Sequence, residues 1–222
     1  MITLNEVKKD SQILEFIKQT EKVLADLAFT DHGLRHANLV ADRAKTIAKE
    51  IGLRKREWEL AAVAGFCHDM ANFLSRTYHN YFGSLLFHQV FSEKFKPKEL
   101  ATVMQAISNH DKKIEDISFA SPISALVIIA DKSDVHRSRV TVKNIDKIKA
   151  DIHDRVNFAT KLSRLKIDKS KKRITLVLKI DTKFVPIMEY FEIFTDRMVF
   201  CRRAAESLKY DFGLVINDFK LL

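Results

Sequence analysis

The chain reads as a mainly α protein: a helical bundle over residues 1–162, followed by a small β-β-α-β (α+β) appendage over residues 163–222. Three observations predict this. Up to about residue 160, apolar residues recur every three or four positions, the period of a helix face. With 5 Gly and 3 Pro in 222 residues, few breakers interrupt those runs. Beyond that point "SRLKIDKSKKRITLVLKID" turns to β-branched, alternating residues on either side of "DKSKKR", the pattern of two antiparallel strands and a tight turn.

Each element has its own signal. Leu14, Ile17, Val23, Leu24 and Leu27 mark a first helix. Thr30 or Asp31 caps a second, which carries Val40, Ala44, Ile47 and Ile51 on one face and stops at Gly52. A third runs from about Arg54 to Asp69, and a fourth from about Asn80 to Phe95. Pro97 and Pro122 suit the first turns of a fifth, ending near Asn109, and a sixth, "ISALVIIADKSD". A seventh spans about Asn144 to Leu162. In the appendage, Ile187, Phe191, Phe194, Met198, Cys201, Ala205 and Leu208 form one stripe of a helix, and "FGLVINDFKLL" supplies a final strand. That stripe covers one face of the sheet, or serves as a homodimer seam.

Composition narrows the function classes. A hydrophobic fraction of 46% with 30% charged residues suits a folded domain and excludes a low-complexity chain. Cys67 and Cys201 lie in apolar helical patterns, as buried thiols of a reducing compartment would, so a cytoplasmic location is expected. No apolar run approaches the roughly 18 residues of a membrane span. The net charge of +9 is concentrated: residues 161–183 hold nine Lys and Arg against Asp168 and Asp181. We read this segment as a solvated hairpin face, with nucleic acid the less favoured partner.

Several polar groups do not fit an ordinary core. His36 precedes Val40 by four residues and Ala44 by eight, so it shares their apolar face. His68 and Asp69 close the apolar run "LAAVAGFC", and Asp131 closes "ALVIIA". Buried carboxylates need compensation. A divalent cation supplies it for both carboxylates and both histidines at once, and this donor set suits Zn, Mn, Fe, Co or Ni, or Mg where carboxylates dominate. His79 and His110 fall where a second ion could use them, although each alone would pass for a cap or a loop residue.

Together these residues resemble the HD-domain metal-dependent phosphohydrolases. "RHANLVADRA" with His36 is similar to the first motif of that family, "AAVAGFCHDMANF" with His68-Asp69 to the second, and "ALVIIADKSD" with Asp131 to the last. "HNYFGS" and "AISNHD" resemble the sites of two extra histidines, His79 and His110. The likeness covers roughly residues 30–135. It implies two divalent ions bridged by Asp69, with His36, His68 and Asp131 completing one and His79 and His110 the other. It also implies an activated hydroxide that attacks a small phosphorylated substrate, most naturally a nucleotide.

The likeness fails at one position: Asn72 stands where several hydrolytic members carry a lysine. Lys112, Lys132, Arg137 and Arg139 are the candidate replacements. Lys132 and Arg137 are expected at the phosphate, and Asp134 either behind a ligand histidine or paired with Arg137 or Lys132. The alternative is a regulatory metal-bearing domain whose basic hairpin binds nucleic acid or an acidic partner. A di-iron oxygenase with the same ligand types ranks below both.

Overall fold

The computed structural model describes residues 2–221. The helices are α1 (Leu4–Val7), α2 (Ser11–Asp26), α3 (Leu34–Glu50), α4 (Lys55–Cys67), α5 (His79–Phe91), α6 (Pro97–Asn109), α7 (Pro122–Lys132), α8 (Ile145–Ala150), α9 (Ile152–Ala159) and α10 (Ile187–Ser207). The strands are β1 (Thr160–Asp168), β2 (Arg173–Ile180), β3 (Asp211–Ile216) and β4 (Phe219–Lys220).

The core helices are α4 and α7. Leu60–Cys67 of α4 and Ile123–Lys132 of α7 are buried on every side, as expected of helices that are apolar all round. Amphipathic α3 and α6 pack against both of them, α5 lies on α6, and α10 covers α7. The α3–α4 approach is close enough that a Cβ at Gly65 would meet the Val40 carbonyl at 3.1 Å and the Ala41 backbone at 3.2 Å. Gly52 ends α3 at φ 87°, a left-handed conformation that glycine adopts without strain.

Two predicted elements need correction. The expected seventh helix, Asn144 to Leu162, is two helices. Asp151 leaves helical geometry at ψ 127° and accepts from the Asp154 amide, so it ends α8 and caps α9, and the strand then begins at Thr160. The appendage is β-β-α-β-β. Asn217 and Asp218, at φ 49° and 74°, make a two-residue turn that folds the last segment into the β3–β4 hairpin.

Strand order is β1-β2-β3-β4, with β2 and β3 parallel across the α10 connection. The α10 stripe is inside this chain: Phe194, Met198, Cys201 and Ala205 are buried, while Ile187, Phe191 and Leu208 are half-buried against the same core. Arg43 of α3 ties the helices to the sheet, donating to Ser133 Oγ (2.9 Å) and the Ser163 carbonyl (2.7 Å). Both cysteines are buried free thiols. No described helix is long and apolar enough to cross a membrane.

Candidate metal centre

Helix ends build the centre. α4 stops at Cys67, His68 caps it and Asp69 follows, while Asp131 is the penultimate residue of α7. A helix C-terminus leaves backbone carbonyls without partners, and two of those carbonyls aim rings here. His68 Nδ1 donates to the Gly65 carbonyl at 2.8 Å, and His110, the cap of α6, donates to that of Ile107 at 2.6 Å. His79, at the start of α5, uses the Arg76 carbonyl in the preceding turn at 2.7 Å. His36, in the first turn of α3, donates to Asp134 Oδ2 at 2.7 Å, so of its two readings Asp134 takes the place behind a candidate ligand ring. All four rings commit Nδ1 to an oxygen acceptor and turn Nε2 inward.

Those nitrogens meet around Asp69. Its Oδ2 lies 3.2 Å from His68 Nε2 and 3.5 Å from His36 Nε2. Its Oδ1 lies 3.2 Å from His79 Nε2 and 3.3 Å from His110 Nε2. Asp131 Oδ1 joins the first group, 3.3 Å from His36 and 3.7 Å from His68. The paired imidazole nitrogens face each other at 3.2 Å for His36 with His68 and 3.0 Å for His79 with His110.

With the rings neutral, the inward ring nitrogens and the carboxylate oxygens of Asp69 and Asp131 are all acceptors. Lone pairs confront lone pairs and carboxylate oxygens in a buried space, and only a cation or captured protons satisfy such a set. The ligand atoms of His36, His68 and Asp69 lie within 4.8 Å of one another, as do those of Asp69, His79 and His110. Each of these two groups, which have Asp69 in common, could hold a divalent cation.

An HD-domain family model matches residues 33–139. The chain carries an HD domain over these residues. The match includes all six candidate ligand residues and ends before the sheet and α10. Comparison with curated proteins returns no match.

The charges of the HD centre are tightly coupled. Burial opposes ionisation of Asp69 and Asp131, yet both are held well below the usual carboxylate range: Asp69 by His68 and the facing rings, Asp131 by Lys132, His36 and His68. Burial also opposes a charge on His68, but the two carboxylates outweigh it and push that imidazole up to about 10. His110 is pushed down, first by burial and then by His68 and His79.

Above the HD ligands lies a cleft of about 200 Å³, with Lys132, Arg139, Arg76, Lys112 and Arg197 among its walls. Lys132 is where the sequence places it: its Nζ sits 2.9 Å from Asp131 Oδ2 and 3.1 Å from Asp111 Oδ1. Arg137 is not. In the 3-10 turn Arg137–Arg139 it faces solvent, donates to the Phe158 carbonyl and stacks on that ring, outside the cleft. Two residues on, Arg139 is 2% exposed and takes the inner place, donating to the Asp134 carbonyl and to His32 Nε2, each at 3.1 Å.

Asn72, at the position of the absent lysine, is a connector. Its amide donates to Asp69 Oδ1 at 3.1 Å, and its oxygen accepts from Arg76 Nη1 at 2.8 Å. Sequence reasoning missed Arg76 and Arg197. Arg76 stands four residues after Asn72, a spacing that hints at the contact. Arg197 had no such signal, because it reaches the cleft only through the packing of α10 on α7.

Proposed function

We propose that this HD domain is a metal-dependent phosphohydrolase acting on a small phosphorylated compound, a nucleotide being the best candidate. The observation that carries the reading is the split Asp69 carboxylate, with two inward-facing histidine nitrogens at each oxygen, beneath a cleft walled by cations. Two divalent ions bound there supply Lewis acidity and a lowered water pKa.

The protein's own residues do the rest. Asp69 fixes the spacing of the two ligand groups. Asp134 holds the His36 ring in its ligating tautomer. Burial works against the charge on Lys132, but Asp131 and Asp111 raise its pKa, so it stays an ammonium that can face charge developing on a phosphoryl oxygen. The cleft is smaller than the ~300–1,000 Å³ typical of sites that enclose drug-sized ligands. It therefore receives the phosphate end and leaves the remainder of the substrate at its mouth.

Release of inorganic phosphate from a panel of nucleotides and other phosphate esters, with Mn, Fe, Zn or Mg present, tests this reading. Asp69→Asn should lower turnover by more than ~100-fold, beyond the usual ~10–100-fold loss of an outer-sphere partner, with circular dichroism unchanged. Equal turnover in the variant would contradict the proposal.

A second reading draws on the outer sheet face, where Lys166, Lys169, Lys171, Arg173 and Lys220 surround a shallow basin. A regulatory domain binding nucleic acid there would show a retarded electrophoretic band that disappears steeply with added salt.

A further inference from the structure

The cations of the cleft differ in how they are used. Lys132 is bonded to Asp111 and Asp131, and Arg139 to Asp134 and His32. Arg76, Lys112 and Arg197 line the same cleft and form no ion pair among the described residues. Their contacts carry no negative charge: Arg76 donates to Asn72 Oδ1 and lies 3.4 Å from both ring nitrogens of His79, Lys112 lies 5.5 Å from the Tyr81 ring centre, and Arg197 lies 4.8 Å from that of Phe194. All three are half-buried. Desolvated cations without counter-charges are costly, so a site that gathers three of them is built for an anion.

Charge bookkeeping separates this anion from the one to be cleaved. Two divalent ions, Lys132, Asp69, Asp111, Asp131 and a dianionic scissile phosphate sum to zero while the attacking water is neutral, and to one negative charge once it is hydroxide. Arg35 and Arg139 are balanced by Asp31 and Asp134. Arg76, Lys112 and Arg197 remain, opposed only by Asp196 at the rim, and leave two positive charges. A second phosphate supplies about that much negative charge.

We propose that Arg197 of α10, together with Lys112 and Arg76, forms a second anion subsite, and that the substrate carries a further phosphate besides the one cleaved. The proposal rests on the phosphohydrolase reading and deepens it. It also gives the C-terminal segment a role: α10 lies outside the matched HD region, yet it delivers a guanidinium whose planar fork suits a phosphate.

The test is calorimetric binding to the full-length, manganese-loaded protein, with adenosine 5′-monophosphate, adenosine 5′-diphosphate and adenosine 3′,5′-bisphosphate as probes. The readout is the affinity ratio of the better doubly phosphorylated probe to the monophosphate. The wild type should give about tenfold or more, and Arg197→Gln and Lys112→Gln should each bring the ratio towards one. Lys112 lies on a separate segment, so its variant keeps the test alive should Arg197→Gln misfold by circular dichroism. A wild-type ratio near one, or a ratio unchanged in both variants, overturns the subsite.

Phosphate release, followed separately, distinguishes the two failures. A selective ratio without turnover keeps the subsite and removes hydrolysis. Turnover that ignores the second phosphate keeps hydrolysis and removes the subsite.

Discussion

His68 carries the pH dependence of the centre. Without a metal ion, the Asp69 and Asp131 carboxylates outweigh the effect of burial and raise its imidazole to about 10, so a proton occupies the ring at neutral pH. Nδ1 is committed to the Gly65 carbonyl, which leaves Nε2 as the site of that proton and of the ligand bond. Metal must displace it. The sign is fixed by the raised value: below about 10 the proton competes, so apparent metal affinity rises with pH, by about tenfold per unit for one proton displaced. Calorimetry of manganese binding to chelator-stripped protein at pH 8, in buffers of different ionisation enthalpy, should report about one proton released per chain. A heat independent of buffer would show that His68 is already neutral.

At the same scale, the legibility of the site divides by cause. His36, His68, Asp69, His79, His110 and Asp131 could be read because apolar runs that end in His or Asp are costly without a shared cation. Arg137 was misplaced because a 3-10 turn sends two nearby arginines to opposite sides, and spacing alone does not say which is inside.

At the scale of elements, the distance between α3 and α4 sets the distance between His36 and His68. Gly65 allows that approach, since a side chain there would press on the Val40 carbonyl and the Ala41 backbone. Gly65→Val should destabilise the fold by about 1–3 kcal/mol through overpacking, which lowers the melting midpoint by about 2–4 °C per kcal/mol in a chain of this size. Metal affinity should fall with it, as the two rings move apart. An unchanged midpoint in a thermal melt would mean that α3 and α4 do not set the geometry.

The buried helices α4 and α7 were legible from their apolar runs, and α6 from Pro97 to Asn109 lies where the sequence placed it. The break at Asp151 was not. Ile145, Ile148, Ile152 and Val156 keep one helical spacing through both α8 and α9, so periodicity hides a cap that the Asp151 side chain makes explicit. The β4 strand was missed for a related reason: its two-residue turn uses Asn217-Asp218 without the glycine that usually announces such a hairpin.

For the whole molecule, helices and sheet share one core. α10 buries the outer side of α7, Arg43 joins α3 to β1, and Arg197 reaches the cleft from the C-terminal segment. Unfolding should therefore be a single cooperative event in urea. Trp58 of α4 reports on the helices, and alkylation of Cys201 in α10, resolved from Cys67 by peptide mapping, reports on the appendage. The two midpoints should coincide. Exposure of Cys201 at lower urea would mean that α10 can leave α7 while the helices stand. The sequence placed the stripe of α10 on the sheet, with a homodimer seam as the alternative, but its packing on α7 had no sequence signal, because that contact arises only in the tertiary fold.

Asp69 stands between two pairs of histidines, and we propose that this one carboxylate divides two ions between them. Elemental analysis of untagged protein, purified without chelator and with oxygen excluded, tests it most directly when run beside His79→Ala. The wild type should hold about two transition-metal ions per chain, falling to about one in the variant, in which His36, His68, Asp69 and Asp131 still hold theirs. No bound metal, with none taken up on adding Mn, Fe, Zn or Mg, would contradict it, as would an equal content in both proteins.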